Sequence, residues 1–169
     1  MKKRLGLVII IIVALFIIGL LVWRFWPQSF SDRMSFDKNA VTGLDAFADV
    51  QRFEGGQSYT DTYRIENEEY QESAPGEILD ILATSSYQPD FRNLLPWDID
   101  SVDADKNYDG RTVNVYLYCG DRYIRLMFLS ESMVVVNTRE NPGMRVYHPT
   151  NSETMNKLVE YLQTNGTAQ

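Results

Sequence analysis

Apolar positions fall into three different rhythms along this chain, and each predicts a different kind of element. The first is an unbroken apolar run from Leu5 to Trp23, preceded by Lys2, Lys3 and Arg4 and closed by Arg24, Phe25, Trp26 and Pro27. At about 1.5 Å per residue, a helix over that run is roughly 28 Å long, close to the hydrocarbon thickness of a bilayer. The second rhythm is alternation. Leu44, Ala46, Ala48 and Val50 alternate with other residues, and after Gly55-Gly56 a second alternation runs through Tyr59, Tyr63 and Ile65. A two-residue turn at the glycines predicts a hairpin in which Ala48 faces Tyr63 and Ala46 faces Ile65.

Alternation returns at Val113, Val115, Leu117 and Cys119, with Gly120-Asp121 as the next two-residue turn. That turn pairs Leu117 with Ile124, Val115 with Leu126 and Val113 with Phe128, so the apolar halves of both strands share a face. Further strands are predicted over Met133 to Thr138 and, after Asn141-Pro142-Gly143, over Met144 to Tyr147. The third rhythm is helical. Ile78, Ile81 and Leu82 form one stripe behind Ser73 or Ala74 as cap and an early Pro75, and Met155, Leu158, Val159 and Leu162 form another behind a Thr150 to Glu153 capping box. A bulky loop with Phe91, Leu94, Leu95, Pro96 and Trp97 is expected to cover an open end of the core. Asn165-Gly166-Thr167 reads as the end of the last helix.

Together these elements predict an α+β chain: an N-terminal transmembrane helix and one two-layer domain, its antiparallel sheet (hairpin plus meander) carrying two helices. The boundaries are 1–26 for the anchor, 27–38 for a linker, 39–165 for the domain and 166–169 for a tail.

Charge then sets the expected orientation. The basic cluster lies N-terminal to the apolar run and most of the chain follows it, so the positive-inside bias puts the N-terminus in the cytoplasm and the domain outside, on a single-pass anchor. A cleaved signal peptide would be shorter and would lead into small residues, whereas this run leads into Trp23, Arg24, Phe25 and Trp26. Four of the 16 basic residues (Lys2, Lys3, Arg4, Arg24) flank the helix, leaving 12 basic against 23 acidic residues, a formal charge of −11. Such a field repels nucleic acid and anionic headgroups, favours cationic partners, and keeps the domain soluble. With the single cysteine Cys119 no internal disulfide can form, so the core alone must hold the fold.

Candidate chemistry is sparse. Asp105-Lys106-Asn107-Tyr108-Asp109-Gly110 places oxygen ligands Asp105, Asn107 and Asp109 at positions one, three and five, and glycine at six, of an EF-hand-like loop. The bidentate acid required at position twelve is replaced by Tyr116. Asp98, Asp100 and Asp103 lie just upstream as possible further ligands; the plainer reading is an Asp-Gly turn among solvated acids. Cys119 and His148 invite comparison with a thiol enzyme, but parity points Cys119 toward the core, and His148 follows the cysteine where a sortase histidine precedes it. No spacing selects a carboxylate pair, and no nucleophile elbow or phosphate-binding glycine loop is present. On the face opposite the core, the register sets Tyr116 against Arg125, Tyr118 against Tyr123 and Asn114 against Met127. Tyr116, Tyr118, Tyr123 and Arg125 are therefore the candidate interface, tyrosine and arginine being enriched at protein contacts.

The order of an early strand pair, a helix around GEILDIL, a meander through DGRTVNVYLYCGDRYIRLMF with its Tyr123-Ile124 pair, and a closing helix around NSETMNKLVEYL resembles small uncharacterised extracytoplasmic domains of Gram-positive bacteria. The likeness covers most of residues 40 to 165 and implies a bacterial cell-membrane protein tethered by one helix; it brings no catalytic residue with it. The expected function is a non-catalytic, membrane-tethered binding domain for a protein or envelope ligand, without a cofactor. The alternative is a calcium-dependent module or hydrolase of the cell envelope.

Overall fold

The alternating runs resolve into one sheet in the computed structural model, which describes residues 2–34, 37–66, 74–94, 109–139 and 143–169. Helix α1 (Lys2–Phe25) leads into β1 (Gln28–Ser29) and the short helix α2 (Phe30–Met34). Next come β2 (Gly43–Glu54), β3 (Gln57–Ile65), α3 (Ala74–Ala83) and β4 (Ser86–Pro89). The meander β5 (Arg111–Cys119), β6 (Arg122–Ser130), β7 (Met133–Thr138) and β8 (Arg145–Pro149) is followed by α4 (Glu153–Asn165) and β9 (Thr167–Ala168). Neighbouring strands all pair antiparallel, in the order β1-β4-β8-β7-β6-β5-β2-β3-β9. The chain is thus α+β, and its apolar segment Val8–Phe25 is long and apolar enough to cross a membrane, with none of it buried within the protein.

Both hairpins take the register that their turns dictate. Ala48 pairs with Tyr63 and Ala46 with Ile65 across β2 and β3. Gly55 and Gly56 sit at φ of 59° and 79°, the two left-handed residues that a turn matched to strand twist requires. In the meander Leu117 pairs with Ile124, Val115 with Leu126 and Val113 with Phe128. Those six side chains, with Leu44, Ala46 and Ala48 of β2, form the inner face of the sheet. Helices α3 and α4 close it with Ile78, Leu82, Met155, Leu158, Val159 and Leu162 in one continuous core. Each fully buried aliphatic or Phe side chain there stabilises the fold by about 1.5–3 kcal/mol relative to exposure.

Several details differ from the sequence reading. Phe91 and Leu94 do not cover the core: they are 68% and 55% exposed. Leu95, Pro96 and Trp97 lie outside the described residues. The aromatic that does seal this side is Phe30, from the stretch expected as a linker. It is 3% exposed, and its ring meets Tyr87 edge-on at 5.8 Å. β1 pairs with β4, so this stretch adds an edge strand. The capping box does not form. Ser152 is the N-cap residue without a side-chain bond, Asn151 accepts from the Glu153 amide, and Thr150 instead accepts from the amide of Ser86. Gly166 does end α4, but at φ of −88°, so its role is not a left-handed turn. A Cβ there would meet the Leu162 carbonyl oxygen at 2.5 Å and the Arg64 backbone at 3.1 Å. That close approach lets β9 lie along β3.

Candidate functional site

Alternate residues of the same strands build the other face. Asp45, Phe47 and Asp49 of β2, Asn114, Tyr116 and Tyr118 of β5, and Tyr123, Arg125 and Met127 of β6 all point away from the helices, because successive side chains of a strand point to opposite sides. The predicted neighbours are found: Tyr116 beside Arg125, Tyr118 beside Tyr123, Asn114 beside Met127. Asp45 lies opposite Tyr116, and Phe47 opposite Asn114, on the adjacent strand.

Tyr116 is held from two sides. The Arg125 guanidinium lies over its ring at 5.3 Å, and the Phe47 ring stacks against it at 6.5 Å with 24° between planes. Arg125 is itself oriented by donating from Nη2 to Asn114 Oδ1 at 3.0 Å. The Tyr118 hydroxyl donates to Asp45 Oδ2 at 2.8 Å, and burial together with that carboxylate pushes its pKa up to about 12. Asp49 accepts from Thr62 on β3. The four residues expected as an interface therefore share one surface and are half-buried. Phe47, Asp45 and Asp49 were not singled out from the sequence, although their parity follows from the Ala46 and Ala48 register. Further along the same face Met127, Leu129, Met133, Val135 and Val146 form a small second apolar cluster.

The candidate calcium loop is described only in part: Asp105 and Asn107 lie outside the described residues, as do Asp98, Asp100 and Asp103. Asp109 is committed elsewhere. It pairs with Arg111, which also reaches Glu131 at 3.2 Å and donates to Asn156 at 2.6 Å. The Asp109 carboxylate is the main cause of a raised Arg111 pKa. Among the described residues no group of three or more His, Cys, Asp or Glu side chains is placed to hold a metal ion.

Cys119 and His148 do not meet. Cys119 closes β5 at the Gly120-Asp121 turn, whereas His148 lies on β8 near the opposite end of β6, three strand spacings or roughly 14 Å across the sheet. Cys119 packs against the core, and burial, then Asp37, pushes its thiol pKa up, away from a reactive thiolate.

His148 belongs to a cluster that the sequence did not suggest. Its Nε2 lies 2.9 Å from Asp90 Oδ2, and its Nδ1 donates to the Ser132 carbonyl oxygen at 2.9 Å. Asp90, 6% exposed, also accepts from the Arg92 amide and guanidinium at 2.7–2.9 Å. Those arginine hydrogen bonds hold its carboxyl far below the usual range, against the opposing effect of burial. With Asn93 bonded to both the amide and the carbonyl of Val146, the cluster fastens the 91–94 turn to β8.

No family model, curated protein or solved structure significantly matches the chain.

Proposed function

We propose that the protein is a non-catalytic binding domain, held at the outer surface of the cell membrane by α1, that engages a protein or envelope ligand through the open face of its sheet. The observation that carries this reading is the Phe47–Tyr116–Arg125 stack. Two aromatic rings and a guanidinium, already fixed in position and still partly in contact with solvent, supply the residue types that dominate protein contacts while losing little side-chain entropy on binding. A covering helix would be needed if the face served only the core, and α3 and α4 both pack on the other side.

The placement outside rests on Lys2, Lys3 and Arg4 ahead of the apolar run, and accords with the resemblance to tethered extracytoplasmic domains. The non-catalytic reading is supported by the separation of Cys119 from His148 and by the structural engagement of Asp90, Asp109 and Arg111. Crosslinking of the full-length protein in its own membrane tests it. A specific adduct with wild type that disappears in a Tyr116→Ala, Arg125→Ala double variant is expected. An adduct pattern unchanged in that variant, with its fold intact, overturns the assignment of this face.

A further inference from the structure

Among the described guanidinium groups of this acidic domain, Arg52, Arg64, Arg92 and Arg111 each rest on a carboxylate. Two are different. Arg33 of α2 and Arg145 of β8 both line a cavity of about 160 Å³, together with Asn137, Thr138, Gly143 and Tyr147, and neither makes an ion pair among the described residues. At this cavity the buried donor Arg33 Nε has no hydrogen-bond partner among the described residues. Burial is the main cause of a lowered Arg33 pKa.

The position of the cavity is equally specific. Arg33 donates to the carbonyl oxygens of Arg24 and Trp26, at the point where the chain leaves α1. Trp23 and Trp26 are exposed at the same level, the pattern of an aromatic belt at a membrane interface. A guanidinium bonded to those carbonyls stands among lipid headgroups once α1 spans a bilayer. The field of the domain as a whole repels anions, so two arginines at one cavity, without acidic partners among the described residues, mark a place where one can be accepted. Guanidinium groups match phosphate oxygens with paired, charge-assisted hydrogen bonds, and the cavity has room for a phosphate group with ordered water.

We propose that this cavity binds the phosphate group of an anionic lipid headgroup, fixing the domain against the leaflet in which α1 ends. The proposal rests on α1 crossing the membrane and is independent of the sheet face as an interface.

Native mass spectrometry of the full-length protein in detergent tests it, with phosphatidylglycerol, an uncharged galactosyl diacylglycerol and inorganic phosphate added separately. Retention of phosphatidylglycerol in preference to the galactolipid is expected. Arg145→Gln, at an exposed side chain with no ion-pair partner among the described residues, is expected to weaken it roughly tenfold, as loss of a charge-assisted hydrogen bond does. Arg33→Gln has the same expected effect, and Tyr123→Ala, on the sheet face, has none. Equal retention of both lipids, or phosphatidylglycerol retention unchanged in Arg145→Gln, overturns the proposal. Adducts of inorganic phosphate that depend on Arg145, without any lipid preference, overturn the lipid source and assign the cavity to a free phosphate group.

Discussion

On the helix side of β5, Val113, Val115 and Leu117 are fully buried, while on the other side Tyr116 and Tyr118 of the same strand keep part of their surface in solvent. The two faces also differ in what holds them. The inner face relies mainly on undirected apolar burial closed over by α3 and α4, most of its positions filled by Leu, Ile, Val, Phe, Ala or Met. The outer face relies on directed contacts: a stacked ring pair, a cation over a ring, and hydrogen bonds from Tyr118 to Asp45 and from Arg125 to Asn114. Directed contacts leave side chains in defined poses with polar groups at the surface, which suits recognition; undirected burial suits stability. One strand serves both because its side chains alternate.

Removing bulk from the inner face should give the largest effect. Phe128→Ala is expected to cost about 3–5 kcal/mol, much of the stability of a domain this size, and urea unfolding would measure it. A cost near 1 kcal/mol would mean that the inner face is not the core. Asp90→Asn comes next, at about 2 kcal/mol, because its charged hydrogen bonds to Arg92 and His148 are lost in a buried setting. The folded-state pKa of Asp90 is depressed, so its contribution is fully present above the ordinary carboxylate pKa of about 3.9 and is lost as pH falls below it. Wild type should therefore lose more stability than Asp90→Asn between pH 5 and 3, followed by melting temperature; parallel curves would contradict this.

Gly166→Ala should cost about 1–2 kcal/mol, since the new methyl group presses on backbone atoms of Leu162 and Arg64. The Gln169 amide, bonded to the Thr62 carbonyl, should then exchange faster with solvent, and unchanged protection would count against the close-approach role. Smallest in stability is Arg125→Gln on the outer face, under about 1 kcal/mol, the scale of a surface cation–π contact. A melting temperature that falls as far as in Phe128→Ala would place Arg125 in the core economy and erase the contrast between the faces.

Much of this division was legible in the sequence. The Gly55-Gly56 and Gly120-Asp121 turns fix register, and a period of two then assigns every residue of β2, β5 and β6 to a face, which is why the four candidate interface positions fall together. Three features escaped the same logic. Phe30 is a single aromatic in a polar stretch, without periodicity to reveal its burial. β4 is only four residues long and ends in Pro89, below the length at which alternation is readable. The Asp90–His148 contact joins residues 58 apart across two strands, and such a pair leaves no local trace. For the same reason the convergence of Arg33 and Arg145 on one cavity emerges only once β8 and α2 are placed.

The most direct test of the two-faced account is site-specific photo-crosslinking of the full-length protein in its membrane, with a photoreactive phenylalanine analogue at position 47 or 123 on the sheet face, or at Glu160 on the exposed side of α4. Adducts of one defined mass from positions 47 and 123 and none from position 160 are the predicted result. Adducts from position 160 alone, or equally from all three, would contradict the claim that the open sheet face is the surface through which this protein works.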